Sequence, residues 1–203
     1  MTENLSCLRK QIRAKRRKLD IYSQRKNAHH ILIQLRTLAT FKHSQHVGIY
    51  LDAFGEIQTR KIILMLFQLG KKVYLPRVCA MNQTLHWIPI SLHQYNSRRF
   101  YWHRLGMQEA MNQTQRSIQK IDLLIMPLLA CDEYGTRIGM GGGFYDRSLA
   151  HTSKSPIRLG LAHNFQFIQH TLPRQIWDQA LDILITPQKT RHFKRHKRPS
   201  FLQ

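Results

Sequence analysis

Four glycines fall within five residues of this chain, at Gly139, Gly141, Gly142 and Gly143, and charged groups surround them. Backbone without Cβ atoms lets a polyphosphate approach its N–H groups closely, and a helix starting just behind adds its positive end. Arg137 and Arg147 bracket the loop, and Asp146 offers a hard oxygen of the kind magnesium takes. The chemistry such a string could do is phosphate binding. On the glycines alone, a strand-to-helix turn without a ligand is an equal reading. Neither common nucleotide signature is present: no Lys-Ser/Thr follows the glycines, and Phe144 stands where a dinucleotide fingerprint has its third glycine.

The elements that must position this loop follow from apolar patterning. Asp122-Leu-Leu-Ile-Met-Pro127 reads as a buried strand, residues 131–135 as a polar turn, and Phe144 as the start of a helix. Residues 46–51 form a strand, and a helix capped by Thr59 and stopped by Gly70 leads to another strand at 72–76. That β-α-β order predicts parallel pairing. Residues 157–162 and 181–186 read as further buried strands, residues 81–87 as a hairpin or edge, and residues 96–119 as a polar excursion. Open α/β sheets collect ligands at the carboxyl ends of their strands, which puts residues 52–56 and 127–143, with Arg137 and Asp146, on one rim. Upstream, Leu5, Leu8 and Ile12 recur at helical spacing, while Arg9, Lys10, Arg13, Lys15, Arg16, Arg17 and Lys18 fill the other faces. A second helix is predicted from Ser23 as N-cap, with Ile31, Leu32, Leu35 and Leu38 on its apolar face.

With 203 residues, 42% of them hydrophobic, the chain can bury one substantial core. Cys7, Cys79 and Cys131 are odd in number and widely spaced, against a disulfide framework or cysteine zinc site. No apolar run reaches membrane-spanning length, and the basic N-terminus has no apolar leader, so a cytoplasmic protein is expected. His192 and His196 stand at ligand spacing without a nearby carboxylate or cysteine, which argues against a metal there. The net charge of +21 is concentrated at the ends: Lys189, Arg191, Lys194, Arg195, Lys197 and Arg198 lie beyond Pro187 with no acidic residue among them. A basic face around an anionic substrate, plus a solvated tail, accounts for this. Specific nucleic-acid binding has no zinc-finger or RNA-motif string to support it, leaving weak, salt-sensitive contact of the basic ends with polyanions.

As a whole string, residues 122–147 resemble the signature of the 5-formyltetrahydrofolate cyclo-ligase family, also called methenyltetrahydrofolate synthetases, with Cys131, Ile138 and Phe144 as mild departures. Glu56-Ile-Gln-Thr59 resembles the family's E-I-x-T element, Tyr74-Leu-Pro-Arg77 its strand ending in L-P-R/K, and Trp177-Asp178 through Thr186-Pro187 its terminal segment. Leu105-Gly-Met-Gln-Glu-Ala110 departs by lacking an expected proline. The resemblance covers about residues 5–187 and implies a single three-layer α/β domain at 1–187, with a mixed, largely parallel sheet flanked by helices. Residues 188–203 are then a basic tail expected to be disordered.

The implied reaction is ATP-dependent cyclisation of 5-formyltetrahydrofolate, with or without a polyglutamate chain, to 5,10-methenyltetrahydrofolate. ADP and phosphate are released, with ATP and Mg2+ as cofactors. The resemblance makes Arg9, Lys10 and Arg13 phosphate clamps, joined at the ATP site by Arg137, Gly139, Met140, Gly141, Gly142, Gly143, Phe144 and Tyr145. Arg137 and Arg147 take the catalytic positions. Leu51, Glu56 and Tyr145 take the folate positions, and Asp146 and Asp182 pair at magnesium. Glu56 suits a pterin, whose amino group and ring N–H a carboxylate accepts together; without the resemblance, a helix-entry residue favouring the dipole is an equal reading. Asp182 by itself reads as a strand end or cap. Competing classes are a nucleic-acid-binding protein using the basic ends, and another small ATP-dependent ligase or kinase sharing the loop.

Overall fold

A computed structural model describes residues 5–104, 106–111, 114–152 and 155–194. The chain opens with helices α1 (Leu5–Arg17), α2 (Ile21–Thr37) and α3 (Ala39–His43), then β1 (His46–Ile49), α4 (Arg60–Gln68), β2 (Lys72–Cys79), β3 (Thr84–Ile90) and α5 (Leu92–Asn96). A small hairpin, β4 (Phe100–Trp102) and β5 (Gln108–Ala110), precedes β6 (Leu123–Met126), β7 (Ala130–Cys131), β8 (Arg137–Ile138) and α6 (Phe144–Leu149). The chain closes with β9 (Ile157–Leu161), β10 (Ile183–Ile185) and β11 (Thr190–His192).

Seven strands form one sheet in the order β11-β10-β9-β6-β1-β2-β3. From β10 to β2 all neighbours are parallel, and both edges are antiparallel. This is the mixed, largely parallel sheet expected. Its central strands are continuous apolar runs because both faces are covered. Val47, Ile49, Leu123, Ile125, Leu159, Leu161, Ile183 and Ile185 pack with Ile31 and Leu35 of α2 and Ile62, Ile63 and Leu66 of α4. The alternate residues Leu124, Met126 and Leu184 face Trp87 and Leu149 of α6. A Cβ on Gly160 would stand 2.6 Å from Leu181 Cδ1 and 2.9 Å from Leu128 Cδ2, so the leucine side chains packed over it leave no room without shifting. No helix among the described residues is long and apolar enough to cross a membrane.

Three local expectations are corrected. Asp20, not Ser23, caps α2; its carboxylate accepts Ser23 N–H at 2.8 Å. Thr59 holds the N-cap position of α4 as expected, but its hydroxyl caps no helix N–H and donates backward to Tyr50 O at 2.9 Å, while Asp52 accepts Thr59 N–H at 2.8 Å. The polar excursion contains the β4–β5 hairpin, held to β2 by Glu109, which is 1% exposed and accepts Val78 N–H at 2.9 Å and the Tyr101 hydroxyl. Burial and that bond push Tyr101 up to about 12. Ala110, where the resemblance expected proline, is buried in regular pairing with Phe100; Leu105 lies outside the described residues.

The tail is also corrected. Residues 188–194 are ordered: β11 pairs with β10, the Arg191 guanidinium lies 3.8 Å from the Phe167 ring centre, and Phe193 packs on the α6-side core. An unpaired strand edge at β10 supplies the backbone partners, and one phenylalanine supplies the anchor. Residues 195–203, the rest of the expected tail, lie outside the described residues.

Candidate functional site

Because β1, β6 and β9 are adjacent and parallel, the segments leaving their carboxyl ends share one rim. Residues 50–57, 127–143 and His163 all emerge there. The β7–β8 pair delivers the glycine loop into α6, with Gly141 at φ +106° and Gly143, the residue before the helix, at φ +64°. A Cβ on Gly139 would stand 2.8 Å from Arg137 Nη1, and one on Gly142 would stand 2.6 Å from the Phe144 ring. Met140 is 47% exposed, so the loop's tip faces solvent with its backbone uncovered. Phe144 and Tyr145 turn inward instead. Tyr145 packs 6.4 Å from Trp87, ring centre to ring centre, and its phenol is pushed far up by burial, then by Glu56, with Arg137 opposing. Tyr145 therefore stands electrostatically between the two segments.

Arg137 is only 6% exposed, so its side chain is buried beneath the rim on which its segment emerges. Its Nη2 donates to both Asp146 oxygens at 2.9 Å, and its buried Nε meets no hydrogen-bond partner among the described residues. Arg147 is exposed, donating to Gln83 O at 2.9 Å and to Gly142 O, which ties the loop to the β2–β3 turn. On α1, Arg9 Nε donates to Gly139 O at 3.1 Å; Lys10 is exposed, and Arg13 is near enough to Arg16 to disfavour its charge.

The two expected metal ligands serve different elements. Besides Arg137, Asp146 accepts Gln179 N–H at 3.0 Å. Asp182, at the amino end of β10, accepts Arg158 N–H at 2.7 Å and so joins that end to β9. Among the described residues no three His, Cys, Asp or Glu side chains gather to hold a metal. A cage built from protein alone is thus not what the residues fit. A magnesium held mainly by nucleotide phosphates requires one or two carboxylates, and Asp146 beside the loop meets that need. The exposed glycine loop suits a polyphosphate, because backbone without Cβ atoms lets phosphate oxygens reach its N–H groups.

Glu56 lies in a turn locked from several sides. Its Oε2 accepts Ala53 N–H at 3.1 Å, its own N–H returns to Ala53 O at 3.0 Å, and Oε1 lies 3.7 Å from Arg16 Nη1. Burial pushes its carboxyl from 4.5 up to about 7, with Arg16 pulling the other way. Arg16 is fully buried; its Nε donates to Phe54 O at 3.0 Å, Nη1 to Leu128 O at 3.4 Å, and Nη2 has no hydrogen-bond partner among the described residues. His163 completes the frame, with Nε2 donating to Gly55 O at 3.1 Å and Nδ1 accepting from the Asn27 amide at 3.0 Å. Burial lowers it to about 4, so it is neutral at ordinary pH. Leu51 is half-buried against the α2–α4 core.

Arg16 is the residue that sequence reasoning placed wrongly. It shares the stripe of Leu8 and Ile12 at four-residue spacing, and that spacing was the available signal. With Arg9 on the glycine loop and Arg16 on the Glu56 turn, α1 spans both segments. His163, Asn27 and Asp52 carry no sequence mark of their roles.

Comparison with known proteins bears on this arrangement. The model of the 5-formyltetrahydrofolate cyclo-ligase family matches residues 1–187. The Escherichia coli (strain K12) 5-formyltetrahydrofolate cyclo-ligase is 32% identical over 185 residues, spanning 88% of this chain and 97% of that protein. Its Haemophilus influenzae counterpart is 30% identical over 190 residues, spanning 91% and 98%. Among solved structures, the Aquifex aeolicus 5,10-methenyltetrahydrofolate synthetase superposes with a TM-score of 0.79 at 26% identity, covering 96% of this chain and 95% of that one. A Mycoplasma pneumoniae synthetase, at 19% identity and a TM-score of 0.71, shares the fold.

Proposed function

Since the chain belongs to the 5-formyltetrahydrofolate cyclo-ligase family, we propose that it converts 5-formyltetrahydrofolate to 5,10-methenyltetrahydrofolate, consuming ATP and releasing ADP and phosphate. The observation that carries this reading is the bridge made by α1. Arg9 on Gly139 O and Arg16 on Phe54 O fix an anion cradle and a buried carboxylate on one rim.

The formyl oxygen of an amide-like group is a poor leaving group. Its attack on the γ-phosphorus breaks the bond to ADP and leaves an O-phosphorylated formyl carbon on N5. N10 then bonds to that carbon, loses its proton, and expels the oxygen as phosphate, giving the N5–CH–N10 cation. No covalent enzyme intermediate is needed, so the protein's work is positioning and charge neutralisation. In this reading Arg9, Lys10, Arg13 and Arg137 hold the triphosphate with the backbone of residues 139–143, flanked by Phe144 and Tyr145. Arg147 braces the loop. Glu56 accepts the pterin's paired donors, Leu51 supplies an apolar wall, and Tyr145 separates the two ligands. Mg2+ would neutralise phosphate charge, with Asp146 as its protein ligand; we assign Asp182 to joining β9 and β10. The folate's polyglutamate chain, where present, would meet a basic surface.

Mixing purified protein with magnesium, ATP and 5-formyltetrahydrofolate should produce the absorbance of the methenyl product. Normal ATP binding without product would sink the substrate assignment.

A further inference from the structure

Phe54 is in the left-handed region at φ +52°, next to Gly55 at φ +74°. For a bulky residue this backbone is a genuine outlier, whereas glycine and asparagine adopt it readily. Turn chemistry therefore asks for a different residue. Core packing does not ask for phenylalanine either. Phe54 is 45% exposed and joins none of the hydrophobic clusters among the described residues. Its edge rests on Gly106 at the tip of the β4–β5 hairpin, where a Cβ would come within 3.0 Å of Cζ.

The surrounding bonds hold this conformation in place. Arg16 Nε donates to Phe54 O at 3.0 Å, Glu56 N–H to Ala53 O at 3.0 Å, and His163 Nε2 to Gly55 O at 3.1 Å. Strain kept by such restraints marks sites where the strained residue has a task. Here the task belongs to an exposed aromatic face two residues from Glu56. We propose that Phe54 is a specificity-determining residue: its ring stacks on the flat pyrimidinone half of the pterin whose edge Glu56 takes. This rests on the folate reading above. Face and edge are then read by one strained turn, and a substrate without a flat ring gains nothing from it.

Three substitutions separate ring from backbone. Phe54→Asn keeps the left-handed conformation without an aromatic face, while Phe54→Tyr and Phe54→Trp keep the face. Binding of 5-formyltetrahydrofolate is read by calorimetry, independently of turnover, with unfolding midpoints alongside. Phe54→Asn should match or exceed the wild-type midpoint and weaken folate binding about tenfold. ATP binding should stay unchanged, and Tyr and Trp should stay within about threefold of wild-type affinity. Wild-type affinity in Phe54→Asn, or equal losses in all three, would overturn the proposal. A wild type that binds folate but does not cyclise it would refute the reaction and leave Phe54 to be judged on affinity. A wild type that binds no folate would overturn both.

Discussion

Replacing Glu56 by Gln keeps the shape of the side chain and removes a charge that the fold holds at a cost. Burial moves the carboxyl from 4.5 to about 7 even though Arg16 lies 3.7 Å away. Between those values the folded protein keeps a proton on Glu56 that the unfolded chain has released, so this group's contribution to native stability falls as pH rises through the interval. That direction is opposite to the one a salt-bridged surface carboxylate gives. The displacement corresponds to about 3 kcal/mol, all of it missing from the Gln variant. E56Q should therefore equal wild type near pH 4 and exceed it by about 3 kcal/mol near pH 8. Folate affinity should move the other way: a hydrogen bond to a charged partner contributes roughly 1.5–3 kcal/mol, so binding should weaken by more than about tenfold while ATP binding holds. Urea unfolding at closely spaced pH values reads the first effect, and calorimetric titration reads the second. A stability gap between the two proteins that stays flat with pH would refute the claim that burial sets this charge. Equal weakening of both ligands would make Glu56 structural.

R137A and D146A should each lower turnover by about 10²–10³, but their stabilities should part. D146A leaves the buried Arg137 without its countercharge and should cost about 3 kcal/mol or more, while R137A, which removes the buried charge itself, should cost less; equal unfolding midpoints would refute the pair's structural weight. His163 stays neutral in the fold down to about 4, so its own contribution to stability is lost as pH falls from 6.5 toward that value, opposing the gain that Glu56 gives over the same interval. His163→Asn should lack that loss, and an unchanged profile would show the imidazole is solvated. Truncation after Pro187 removes β11 and Phe193 and should cost about 1.5–3 kcal/mol in urea unfolding. Truncation after Lys194 should leave stability and turnover alone and reduce low-salt retention on nucleic acid; a loss of turnover there would place the last residues in the site.

The central strands were legible because burial on both faces demands unbroken apolar runs such as Leu123–Met126. The shared rim of residues 52–56 and 127–143 followed from parallel order alone. Arg16 was misplaced because a basic residue among basic neighbours reads as solvated, whatever stripe it occupies. The β4–β5 hairpin escaped notice because its strands are three residues each and its glue is a buried carboxylate, Glu109, with no apolar period to announce it. Strand β11 was hidden by composition: one phenylalanine in a basic run decides its order. The Arg137–Asp146 pair joins groups nine positions apart across a loop and a helix start, and spacing does not reveal such a contact.

Helix α1 has basic residues four apart at Arg9 and Arg13, and again at Arg13 and Arg17, with no acid in its first turn. Such pairs repel, so as a free peptide this segment would be largely uncoiled. It is helical because Leu8, Ile12 and Arg16 are docked. Opening of this single element would release Gly139 and Phe54 together, since Arg9 and Arg16 hold them from the same rod. A polyphosphate bound against it would suppress that opening, and the lysines and arginines along it are trypsin's targets. Resistance of the N-terminal segment to tryptic nicking is therefore a direct gauge of how far both halves of the site are assembled.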